Sequence, residues 1–152
     1  MTDPTPPDTP VRLSFESLSD AAADDAGLAR EPARAALTAA LGLLDRHAAR
    51  ESLVALFDAV DGAEAAARSD AAARPRRGLF GGLIAGAGGL SGKAVAEAMG
   101  LLEQLEPLGI GKPEMKRLLP AARDRVRAAT GRDLLGDAVR SVPGVGPLLG
   151  GG

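Results

Sequence analysis

Between residues 31 and 142 apolar side chains return every three or four positions, a spacing that an α-helix gathers onto one face. Leu37, Leu41 and Leu44 stand at i, i+4 and i+7, with Ala33, Ala36 and Ala40 beside them. Leu53, Leu56, Phe57 and Val60 stand at i, i+3, i+4 and i+7. Met115, Leu118, Leu119, Ala122 and Val126 form a third stripe, and Leu135, Ala138, Val139 and Val142 a fourth. The fold class this predicts is all-α: two helical hairpins, Glu31–Val60 and Pro113–Val142, plus a linking helix over 93–105.

Punctuation between the stripes agrees with that reading. Pro32 sits in a first helical turn, where its missing N–H costs nothing. A break falls near Ala48–Arg50, and Asp61-Gly62 is a stop. Ser14 predicts the cap of a short helix reaching about Ala26. Ser91 predicts the cap of the linking helix, whose stripe reads Val95, Ala98, Met99, Leu102 and Leu105 and which Pro107 limits. Pro120 is placed to kink its helix, Gly131 breaks it, and Pro143-Gly144 closes the last one. The organisation that follows is a disordered tail over 1–12, with four Pro and three Thr, and a first hairpin lobe over 13–68. A linker over 69–92 comes next, then the linking helix and second hairpin lobe over 93–144, and a flexible tail over 145–152.

The two hairpins overlay with a constant offset and no gap. Gly27-Leu28 falls on Gly109-Ile110, Leu37 and Leu44 on Leu119 and Val126, and Asp61-Gly62 on Pro143-Gly144. Residue identity along the overlay is low, so what repeats is the layout. A Gly27-Leu28 entry into an Ala-rich helix, a stop at Asp61-Gly62, a Gly-rich linker and Leu108-Gly109-Ile110 before two further helices make a layout similar to that of the bacterial VcgC/VcgE family of unknown function. The resemblance covers about residues 27–142. It implies a fold and no activity.

Composition bounds the rest. There is no Cys, hence no disulfide framework, thiolate nucleophile or zinc–thiolate site. With three Phe (Phe15, Phe57 and Phe80) and no Trp or Tyr, the core is made of small residues. Such a core predicts marginal stability unless the chain self-associates. The polar, Pro-rich Met1–Thr9 lacks the apolar region of a secretory signal. The longest mostly apolar stretch, Gly78–Leu90, is too short and Gly-rich to span a bilayer. A soluble, cytoplasmic protein is the expectation. Charge is divided: residues 1–73 carry 13 acids against 6 bases, and residues 74–132 carry 5 acids against 11 bases. Either the halves neutralise each other within one fold, or the second half meets an acidic partner.

Motifs for chemistry are absent from this pattern. His47 is the one histidine and stands near a helix end, where a cation suits the dipole. Asp20, Asp24 and Asp25 cluster without the spacing of a calcium loop and read as a solvated acidic face. No Gly-x-Ser-x-Gly occurs, and Glu103 and Glu106 are neighbours on a helix surface. Ser91-Gly92-Lys93 holds P-loop residue types in the wrong order. No catalytic, cofactor-binding or metal residue is assigned, and no small-molecule substrate is indicated.

Two features remain as candidates. Lys116, Arg123 and Arg127 project to one side of their helix's apolar stripe. With Arg76 and Arg77 of the linker they are the anion-contact candidates, toward nucleic acid or a membrane surface. Leu79, Phe80, Leu83 and Ile84 form an apolar, Gly-spaced segment that reads as a core plug, a self-association element or a membrane contact. The function expected is that of a non-catalytic helical interaction or scaffold protein with a protein partner or a second copy of itself. The alternative is a peripheral membrane or non-specific nucleic-acid binder.

Overall fold

The computed structural model describes residues 13–69, 89–142 and 144–145. Among them it is helical almost throughout, as the stripes require. The N-terminal tail, nearly all of the linker and most of the C-terminal tail lie outside the described residues, with Arg76, Arg77, Leu79, Phe80, Leu83 and Ile84 among them.

Helix α1 (Phe15–Ala26) begins where Ser14, in extended conformation, accepts the Ser17 N–H on Oγ at 3.1 Å. That bond satisfies one of the orphan donors of the first turn. Phe15, Leu18, Ser19, Ala22 and Ala23 make its buried face. The helix ends at Gly27, whose φ of +72° needs no Cβ. Its N–H donates to Asp24 O, and the Leu28 N–H reaches back to Ala23 O at 2.8 Å.

Helix α2 (Arg30–His47) is the central rod, buried on nearly every side from Ala36 to Leu44. Its Ala and Gly positions let α1, α4 and α5 all approach it. Helix α3 (Arg50–Ala59) follows the predicted break and buries Leu53 and Leu56. The expected helix to Asp61 stops short. Val60 and Asp61 form a strand, β2, which pairs in parallel with β1 (Leu13–Ser14), Leu13 opposite Val60. Val60 is β-branched and 1% exposed, so leaving the helix costs it no burial. Gly62 then turns the chain at φ +86° into the short helix α4 (Ala63–Ala67), which packs on α2.

Helix α5 (Gly89–Leu105) starts earlier than Ser91, which therefore lies inside it and is not its cap. A 3-10 turn (Glu106–Leu108) ends at Gly109, φ +91°, where the Ile110 N–H returns to Leu105 O at 3.2 Å. Helix α6 (Lys112–Thr130) runs on through Pro120 and ends at Gly131, φ +78°. Helix α7 (Leu134–Arg140) is capped by Asp133, which accepts the Gly136 N–H at 3.2 Å.

Packing interleaves the two halves. Helix α1 lies chiefly against α6, α5 against α2, and α3 against α7. One continuous apolar cluster results, drawing Leu37, Leu44 and Leu56 from the first half and Met115, Leu119 and Val139 from the second. The offset read from the sequence holds in the backbone. Gly27 and Gly109 share a left-handed turn and a returning N–H, and Gly62 and Gly144 share a positive φ. The position after each of the latter, Ala63 or Val145, is buried.

Candidate interaction surface

Helix α6 carries more charge than any other element, and its apolar face decides where that charge can go. Met115, Leu118, Leu119, Ala122 and Val126 are each no more than 1% exposed, as their spacing predicted. At 100° per residue, Lys112, Lys116, Arg123 and Arg127 fall within about 60° of one another beside that face. Arg117 and Arg125 point elsewhere. The candidates Lys116, Arg123 and Arg127 therefore share one flank, joined by Lys112, which the sequence reading did not single out.

Their environments differ. Arg123 donates from Nη2 to Asp133 Oδ2 at 2.8 Å, tying α6 to the cap of α7. The Arg123 hydrogen bonds hold Asp133 below the usual carboxylate value, with help from Arg140 and the Gly136 N–H and against burial. Lys112, Lys116 and Arg127 are exposed. Among the described residues, the ion pairs of α6 are made by Arg123 and Arg125.

The acids of the first half are mostly spent at home. Asp24 takes Arg30 at 2.9 Å, and Asp20 takes Arg34 at 3.2 Å. Asp25 accepts two bonds from Arg125 of α6, at 2.7 and 2.9 Å. The Arg125 hydrogen bond lowers the Asp25 carboxyl, and Asp25 raises the Arg125 guanidinium in turn. The acidic cluster is thus a set of clamps between α1, α2 and α6.

A second polar feature had no signal of this kind. Glu97 of α5 is buried, its side chain 6% exposed, and it faces the last turn of α2. Arg46 pairs with one carboxylate oxygen, and His47 Nε2 stands 3.0 Å from the other. His47 is indeed the last residue of its helix, and its ring is also part of this buried group. Glu97 corrects the stripe expected for α5. From Ala94 onward the buried positions are Ala94, Glu97, Ala98, Gly100, Leu101 and Leu105. Val95 and Leu102 are only half-buried, and Met99 is 46% exposed. Helix α5 has apolar residues on two sides, and a charge on the inner one made the outer one look like the core face. The one signal in the sequence is Arg46 beside His47 at a helix end, two side chains able to donate to a carboxylate.

A cavity of about 10 Å³ lies inside the core, lined by residues such as Phe15, Leu37, Leu56 and Leu119. Its walls are apolar, and a water would find no partner there. Among the described residues, no group of three or more His, Asp or Glu side chains is arranged to hold a metal ion. No helix among them is long and apolar enough to cross a membrane. Compared with protein-family models, curated proteins and solved structures, the chain matches none.

Proposed function

We propose that this chain is a non-catalytic helical interaction protein, and that the outer side of α5 is where it meets a second copy of itself or another protein. One observation carries the reading. Met99 of α5 is 46% exposed and Leu108 of the 3-10 turn 49% exposed, while Val95 and Leu102, at i−4 and i+3 from Met99, are half-buried, Leu102 against the edge of the core. Exposed apolar side chains such as these two are stabilised when another surface removes them from water, at about 25 cal/mol per Å². The small-residue core gives a second reason, because added burial supplements a modest interior.

Support for a non-catalytic role comes from how the interior polar groups are used. The buried Glu97 is engaged by Arg46 and His47, and Asp133 by Arg123, Arg140 and a helix terminus. These partners stabilise one fixed geometry. Cytoplasmic location belongs to the same proposal and rests on composition, the chain holding no cysteine for a disulfide framework. Light scattering on the full chain over a wide concentration range tests the reading. A mass that rises above one chain, and that falls back in Met99→Asp/Leu108→Asp, is expected. A single-chain mass throughout, with no protein bound specifically through these residues, would count against it.

A further inference from the structure

The charge left over after internal pairing is not spread evenly. Among the described residues, Lys112, Lys116 and Arg127 stand on one flank of α6 with no ion-pair partner, and Arg123 stands between them, held by Asp133. The acids of α6 do not enter this sector. Glu114 is turned to accept the Gly111 N–H at 3.0 Å, and Asp124 lies about 60° beyond Arg127 around the helix. Two acids of other elements that meet α6, Asp25 and Asp133, are occupied by Arg125, Arg123 and Arg140.

We infer that this row is a docking surface for the phosphate backbone of a nucleic-acid duplex, read without regard to sequence. Three points select that occupant. The row spans fifteen helical steps, about 22 Å, long enough to meet several phosphates of a duplex. A line of fixed cations complements a linear polyanion. Next, the apolar face of α6 is wholly buried, so the helix has nothing to insert beside the cations, as a membrane-surface helix does. Last, the chain has no Trp or Tyr, and Phe15 is buried, which leaves few stacking platforms for single-stranded bases. The net charge of −2 does not oppose contact at this range, since charges beyond about 10 Å are screened at 0.1 M salt. The inference is independent of the outer face of α5.

Fluorescence anisotropy of the full chain with a labelled random-sequence DNA duplex tests it. Three free cations predict a salt slope near −2.7, so a fourfold rise in salt weakens binding about fortyfold. Lys112→Glu/Lys116→Glu/Arg127→Glu weakens it at least tenfold, while Arg117→Glu, on another side of the helix, does not. All four side chains are exposed, and an unchanged circular dichroism spectrum and melt confirm that the variants fold. No binding at low salt overturns the inference, as does equal binding by the triple variant. Binding to phosphatidylserine vesicles without binding to the duplex reassigns the row to a lipid surface and overturns it as well.

Discussion

Arg46 of α2 reaches Glu97 of α5 and donates from Nε at 2.6 Å, joining residues 51 positions apart in the chain. Counted by the same offset of 82 residues, Phe15 is the position that corresponds to Glu97, and both are buried. Glu97 occupies its buried place as a carboxylate with two basic neighbours, Arg46 and His47.

A buried carboxylate held in this way predicts an asymmetric response to mutation. Arg46→Met leaves the Glu97 carboxylate buried beside His47 and costs about 3 kcal/mol. Adding Glu97→Leu removes the stranded charge and recovers most of the loss, because two apolar side chains can replace a buried pair. Chemical denaturation of the two variants beside the parent measures both values.

Leu119→Ala is expected to destabilise by about 3–5 kcal/mol. Leu119 is 0% exposed and already lines the core cavity, so the shortened side chain enlarges a void that the surrounding helices cannot close. Val54→Ala, at a side chain 56% exposed, changes stability by less than about 0.5 kcal/mol in the same assay.

Gly136→Ala reverses the usual sign. In an ordinary exposed helical position this change stabilises by about 1 kcal/mol. Here the new Cβ would run into the Asp133 carboxylate, which caps α7 and receives Arg123 and Arg140. Displacing that carboxylate removes the cap and loosens both pairs, for a net loss of about 1–2 kcal/mol by thermal or chemical unfolding.

Much of this architecture was legible because most apolar positions point where helical spacing sends them. The α2–α3 break, the stripes of α6 and α7, the Ser14 cap and the glycine turns at Gly27, Gly62, Gly109 and Gly131 follow from local chemistry. Val60 was misread because a residue at helical spacing can be equally buried from a strand. The core face of α5 was misread because Glu97 carries a charge whose partner, Arg46, is brought near only by tertiary packing. On the candidate surface, the shared flank of Lys116, Arg123 and Arg127 was readable from residue numbers. The tie between Arg123 and Asp133 depends on the turn at Gly131 and was not.

Asp133 makes stability depend on acidity in a definite direction. Its carboxyl lies below the ordinary 3.8 in the folded chain, chiefly through Arg123. The unfolded chain therefore binds a proton first. The contribution is complete above about pH 5 and is lost as pH falls through the lowered folded value. Asp133→Asn keeps an oxygen to accept the Gly136 N–H and loses the charge. The drop in stability between neutral and acid pH should be smaller in this variant, measured by urea denaturation at each pH.

Interleaving of the two halves is the claim on which the surfaces depend, since α6 is positioned by α1 and α5 by α2. Native-state hydrogen exchange reads it directly. The slowest amides of α2 and α6 are expected to open together, with one free energy equal to that of global unfolding. Loss of protection across α5, α6 and α7 while α1 and α2 stay protected would contradict it.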